Sequence, residues 1–168
     1  MDMAGQAPTM LTKSNDNENG GVYVEGGRKI VFLSNQGGSS QLWIMNADGT
    51  DRKQISHEEN EIEDFLISPD EKKVILIQEV DDHSSIEKKY DDLPKASGMV
   101  INDLMYKHWD HFVTSIPHPF VADFSENNIS NSKDILNGEP YECPLLPFGG
   151  VEQLCWSSDS KTIAEKKK

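Results

Sequence analysis

The chain is 168 residues long, enough for one domain with a sizeable core. Its 29 acidic against 16 basic residues leave a formal net charge of −13, which argues against nucleic acid and anionic membrane surfaces as partners, because both repel it. No apolar run approaches the roughly 18 residues of a membrane-spanning helix, and a hydrophobic content of 36% is polar without marking the chain as disordered.

The first stretch, "MDMAGQAPTMLTKSNDNENGG", has neither a basic n-region nor an apolar core, so no signal peptide is visible in it. That leaves the location of this chain open: a longer parent protein is expected to be periplasmic or secreted if a leader lies upstream, and cytoplasmic otherwise. Lys29 to Ser34 reads as a strand. After the loop "NQGGSS", Gln41 to Asn46 reads as a second strand, Asp48-Gly49 is a hairpin turn signal, and Arg52 to Ser56 returns. By alternation Leu42, Ile44 and Asn46 share one face, and Trp43, Met45 and Ala47 the other. Both faces are mostly apolar, which fits a strand covered on both sides.

Glu63 to Ser68 and Lys73 to Val80 form the next strand pair, around "SPDEKK". Asp82 to Lys95 is charged and turn-rich, a surface loop. Val100, Leu104 and His108, with Ile101, Met105 and Trp109 beside them, have the spacing of a short amphipathic helix, in which Trp109 and Phe112 are expected to be buried. "PFVADF" (Pro119 to Phe124) reads as a strand, "SKDILNG" as its partner, and Val151 to Trp156 as the start of another unit.

Three phrases repeat: "GGRKIVFLS", "ISPDEKKVILI" and "WSSDSKTIA". Aligning Ile30, Val74 and Ile163 gives separations of 44 and 89 residues, one period and close to two. A period of roughly 40–45 residues is that of a four-stranded propeller blade. In "SPDEKK", Pro69 presets φ, Asp70 can accept from its own backbone two residues on, and Lys72 stays in water. In the first copy "VEGG" replaces the Ser and Asp, and glycines make the turn.

The fold expected is all-β: a partial β-propeller of about two four-stranded antiparallel blades with a short helical insertion. Residues 1–20 are a tail and blade edge, 21–164 the partial propeller with an insertion at about 81–114, and 165–168 a C-terminal tail. "QLWIMNADGTDRKQIS" followed by "FLISPDEKKVIL" resembles the repeats of TolB and of the prolyl oligopeptidase family of serine peptidases. "DLPKASGMVINDLMYKHWDHFVTSIPHPFVADF" is more specific, and is similar to the propeller of bacterial dipeptidyl and acylaminoacyl peptidases of the Bacteroides group. That resemblance implies a propeller of seven or eight blades that gates or positions peptide substrates for an α/β-hydrolase domain. Its partners are then peptide substrates, the missing blades and that hydrolase domain. A TolB-like protein-binding module, or a truncated gene product without function, is the alternative.

The hydrolase chemistry needs a G-x-S-x-G turn. None is present, and "GGSSQ" at Gly37 to Gln41 lacks the closing glycine and lies in a hairpin loop. No strand-helix alternation of a parallel sheet occurs either. The chain alone is therefore expected not to be an enzyme, and no residue is assigned as catalytic. The parent protein is expected to be a serine peptidase.

Other constellations have plainer readings. His108, Asp110 and His111, with His118 nearby, lack the i, i+4 spacing of helical metal ligands. His57 beside Glu58-Glu59 reads as a solvated loop. The run Glu58 to Asp64 lacks the glycine and spacing of a calcium loop. No metal and no cofactor is expected. Cys143 and Cys155 read as buried or half-buried thiols, and the acceptor pattern at Asn128 as chance. The resemblance also implies acidic residues that grip a substrate's amino terminus. The insertion holds Asp82, Glu87, Asp91, Asp92, Asp103 and Asp110, but none falls on the family's double-glutamate motif, and Glu58-Glu59 lies elsewhere. The substrate-binding residues stay unassigned. Outer blades without neighbours imply self-association.

Overall fold

The computed structural model describes residues 10–81, 90, 92–93, 95, 97–98, 100–101, 107–108, 111–146 and 148–165. Strands β1 (Glu18–Val24), β2 (Lys29–Ser34), β3 (Gln41–Asn46) and β4 (Lys53–Gln54) form one antiparallel sheet in chain order, blade 1. Strands β5 (Ile62–Ile67), β6 (Lys73–Asp81), β9 (Ser115–Phe124) and β10 (Ile129–Asp134) form blade 2, again as a meander. The insertion interrupts blade 2 between its second and third strands, and holds the two-residue ladder of β7 (Lys107–His108) and β8 (His111–Phe112). Strands β11 (Leu154–Trp156) and β12 (Ile163–Glu165) begin blade 3.

The repeated phrase is the same object three times, a turn from the first strand of a blade into its second. In blade 2, Ser68 Oγ donates to Asp70 Oδ1 at 2.8 Å, Lys72 N to Asp70 Oδ1 at 3.2 Å, and Lys73 N to Ser68 Oγ at 2.9 Å. In blade 3, Ser157 Oγ donates to Asp159 Oδ1 at 2.6 Å, Lys161 N to Asp159 Oδ1 at 3.2 Å, and Thr162 N to Ser157 Oγ at 3.0 Å. These bonds hold both carboxyls below the usual aspartate range, led by the serine hydroxyl in each case. The left-handed position of the turn carries a side chain in blades 2 and 3, Glu71 (φ 56) and Ser160 (φ 60), and glycine in blade 1, Gly27 (φ 88). Each of those two side chains takes a backbone N–H from the preceding blade: Glu71 from Glu25 at 2.9 and 3.0 Å, and Ser160 Oγ from Asp70 at 3.0 Å. A non-glycine residue in that conformation is costly, and persists where its surroundings hold it.

The main core lies between blades 1 and 2. Val31, Leu33, Leu42 and Ile44 face Phe65, Val74, Leu76 and Ala122. The other face of blade 2 packs Ile75 and Ile77 against Leu154 and Cys143, and Trp156 Nε1 donates to Leu66 O at 3.0 Å. The alternation read for β3 holds on both sides: Leu42 and Ile44 point to blade 2, and Met45 lies buried on the far face beside half-buried Trp43.

Several elements differ from the sequence reading. A strand, β1, runs from Glu18, so blade 1 has four strands where the pattern shows three. The return after Asp48-Gly49 is the two-residue β4 and not the whole of Arg52 to Ser56. β10 starts at Ile129, three residues before "SKDILNG". No α-helix occurs among the described residues. The helix expected from Val100 to Trp109 lies mostly outside them, and the part within, Lys107–His108, is strand. Trp109 is also outside the described residues, while Phe112 is 53% exposed and not buried, since among the described strands β8 pairs with β7 alone.

Candidate functional site

The meander order fixes which connections share an end of the blades. The turns at 25–28, 47–52, 68–72, 125–128 and 157–162 are all short and lie at one end. The loop 35–40 and the linker 55–61 lie at the other, where β6 also ends at Asp81, β9 begins at Ser115 and β10 ends at Asp134. Loops carried by a rigid scaffold are where binding residues concentrate. This loop end is the candidate site.

The linker between blades 1 and 2 is fixed there by buried amides. Gln41 Oε1 accepts from Ser56 Oγ at 2.7 Å and from Glu58 N at 3.0 Å, and its Nε2 donates to Glu58 O at 3.1 Å. Gln78 Nε2, from blade 2, donates to Glu58 Oε2 at 3.2 Å. Glu58, read as part of a solvated run, is thus half-buried and bonded, while His57 is exposed, with Nδ1 3.2 Å from Gln54 Nε2.

A cleft of about 240 Å³ opens beside that linker, lined by Asn17, Asn19, Asn35, Ser40, Glu61, Ile62 and Glu63. The β5–β6 register shifts between Ile62 and Asp64, so Glu63 sits in a bulge, the device that re-aims a side chain out of a ladder. Glu63 is exposed on the strand, but the groups crowding its carboxyl partly desolvate it and push it up, and the charges of Glu79, Glu61 and Asp64 push it further. Asp64 is also raised, by burial and by Glu152 of blade 3, against a bond from Phe65 N at 2.8 Å. An acidic seam therefore runs along the first strand of blade 2.

The seam has a consequence for stability. A carboxyl with a raised folded pKa favours the fold below the ordinary carboxylate range, and that contribution is lost as pH rises through the raised value. Ionised Glu63 thus opposes folding at neutral pH. Glu63→Gln is expected to raise the urea midpoint at pH 7 and to leave it nearly unchanged at pH 4. Equal shifts at the two pH values would contradict the repulsion.

The insertion is rooted in blade 2 by an unusual strand. β9 carries Pro117 and Pro119, each without an N–H, and β10 pairs with it only as far as Phe120. The freed carbonyls are used elsewhere: Cys143 N donates to Pro117 O at 2.8 Å and Ile135 N to Pro119 O at 3.2 Å. His118, 2% exposed between the prolines, meets Asp134 through Nδ1 at 2.9 Å. A carboxylate only accepts, so Nδ1 carries the proton. His118, which the sequence analysis noted near His108, Asp110 and His111 without assigning a metal, is bound into the body of blade 2. Asp110 lies outside the described residues, as do Asp82, Glu87, Asp91 and Asp103. Cys143 is buried, where burial pushes its thiol up, but Cys155 is exposed, because β11 alternates and turns Leu154 inward. Asn128 is exposed in the turn between β9 and β10.

No protein-family model matches the chain. It is 45% identical over 164 residues, 98% of its length, to Dipeptidyl-peptidase 5 of Porphyromonas gingivalis. It is 36% identical over 142 residues, 84% of its length, to Dipeptidyl-peptidase 5 of Porphyromonas endodontalis. The chain spans 24% and 20% of the lengths of these two relatives. A solved structure of a TolB from Agrobacterium tumefaciens shares the fold over 77% of this chain and 38% of that one, with a TM-score of 0.50 at 20% identity. Over nearly its whole length the chain is thus homologous to about a quarter of a dipeptidyl peptidase, and its fold is that of a TolB-like propeller segment, as its repeats imply.

Proposed function

We propose that this chain is the non-catalytic propeller portion of a prolyl oligopeptidase family serine exopeptidase, and that its loop end positions peptides for a hydrolase domain. The observation that carries the proposal is the 45% identity across 98% of the chain to Dipeptidyl-peptidase 5. Two features of the chain support it. The sequence has no G-x-S-x-G nucleophile turn. All the long connections, the insertion included, are rooted at one end of the blades, where a cleft and an acidic seam lie.

A chimera tests this reading. The chain replaces the matching quarter of the Porphyromonas gingivalis relative, with and without residues 82–114 shortened to a tight turn. The expected result is retained dipeptide release by the first chimera. Shortening should raise KM for dipeptidyl substrates while hydrolysis of a small activated ester persists. Equal kinetics on dipeptidyl substrates with and without the insertion would overturn the positioning role.

A further inference from the structure

Two Asn-Gly pairs, Asn19-Gly20 and Asn137-Gly138, and one Asp-Gly pair, Asp48-Gly49, occur in the chain. In such a pair the glycine nitrogen can attack the preceding side-chain carbonyl carbon, because glycine has no Cβ to shield its N–H and its backbone bends freely. The attack needs a nitrogen outside any hydrogen bond, room for the backbone to rearrange, and access for water. The fold treats the three pairs differently. Asn19 lies in β1 and pairs with Leu33, while Gly20 stands against the Phe65 ring, 3.2 Å from where its Cβ would be. That backbone rearranges only if β1 leaves β2. Gly49 N donates to Asn46 O at 2.9 Å, and the Leu11 carbonyl oxygen lies 2.6 Å from where a Cβ at Gly49 would stand. Asn137-Gly138 has neither restraint. The pair forms the middle of a turn closed by Glu139 N donating to Leu136 O at 2.8 Å. Gly138, the third residue, has φ +85, the left-handed conformation that such a turn gives to glycine. Beyond its chain neighbours no atom lies within 4 Å of where its Cβ would be, and its N–H donates to no described residue. Both residues are exposed. The closing bond lies within the turn itself, so its form does not depend on which strands flank the linker.

We propose that Asn137 is a site of spontaneous deamidation. Gly138 N forms a bond to Asn137 Cγ and gives up its proton. The Cγ–Nδ2 bond breaks, and the side-chain amide leaves with that proton as ammonia. Water then opens the cyclic imide, its OH going to one carbonyl carbon and its hydrogen returning to Gly138 N. Opening at Cγ gives aspartate at 137, and opening at the main-chain carbonyl gives isoaspartate. Either product places a new carboxylate in the linker that follows Asp134, whose own carboxylate accepts from Leu136 N at 2.8 Å and meets His118 at 2.9 Å. Isoaspartate also adds a carbon to the main chain between the two points that anchor this linker to β9, Ile135 N on Pro119 O and Cys143 N on Pro117 O. The modification thus acts on the connection between blades 2 and 3.

Incubation of the 168-residue chain in mildly alkaline buffer, followed by peptide mapping with mass spectrometry, tests this directly. Aspartate and isoaspartate at 137 should accumulate about tenfold faster than at 19, because Asn19 reacts only through local opening of β1. In urea, where neither pair is held, the two rates should converge. Gly138→Ala puts a methyl group beside the attacking nitrogen and should slow the reaction at 137 severalfold, in the folded chain and in urea alike. Circular dichroism shows whether that variant folds, and the wild-type comparison of native and unfolded chain stands without it. Equal or faster reaction at Asn19 in the native chain, an Asn137 that reacts in urea but not in the native chain, or a Gly138→Ala variant that reacts like the wild type in urea would each overturn the proposal.

Discussion

Phe65→Ala is expected to cost about 3–5 kcal/mol in urea unfolding, the usual range for truncating a buried aromatic side chain. Phe65 is 4% exposed on the first strand of blade 2, and belongs to the cluster that also holds Val31, Leu33 and Ile44 of blade 1. Its ring reaches the backbone of blade 1 at Gly20, where an added Cβ would lie 3.2 Å from Phe65 Cε1. Gly20 has φ +69 at the bulge in β1, so glycine serves both the backbone conformation and the close approach there. The cavity left by Phe65→Ala would open between blades, where neither sheet can collapse without moving as a whole. Tyr23→Ala is the control: Tyr23 is 65% exposed on β1, and the change should stay within about ±0.5 kcal/mol. Similar losses for the two variants would show that the blades do not share a core.

The second large effect is polar. Gln41 is 3% exposed, and its carboxamide is bonded to Ser56 and to both backbone groups of Glu58. Gln41→Ala leaves the buried Ser56 hydroxyl and the Glu58 N–H without their acceptor. An orphaned buried group costs about 1–3 kcal/mol, so a loss of about 3 kcal/mol is expected. Gln41→Met keeps much of the shape and removes the bonds, and should recover little of it. Recovery to near wild-type stability by Met would mean that volume, and not the amide network, fixes the linker.

What the sequence shows and hides follows from how local each cause is. The turns around Asp70 and Asp159 are closed by bonds within five residues, so their phrases repeat visibly. The hairpin at Asp48-Gly49 is likewise local, with Gly49 at φ 87 and Asp48 accepting from Thr50 N at 3.0 Å. β1 gives no such signal. Its sequence is "ENGGVYV", only Val24 is buried, and a bulge breaks the alternation, so β2 makes it a strand by pairing. The start of β10 is set by tertiary contact as well, since Ile129 N donates to Ile55 O of the preceding linker at 2.7 Å. At the candidate site, "EENEIED" showed acidity but not which carboxyl matters. Glu63 is singled out by a register shift against β6, and that depends on a partner strand ten or more residues away.

The central claim is that blades 1 and 2 form one unit, stitched by the shared core and the Gln41–Glu58–Gln78 bonds, which holds the loop end in place. Native-state amide exchange tests it most directly. The account predicts that the slowest amides of β2 and β3 and those of β6 and β9 exchange with the same opening free energy and the same urea dependence. Separate opening free energies for the two blades, one unfolding while the other stays protected, would contradict it.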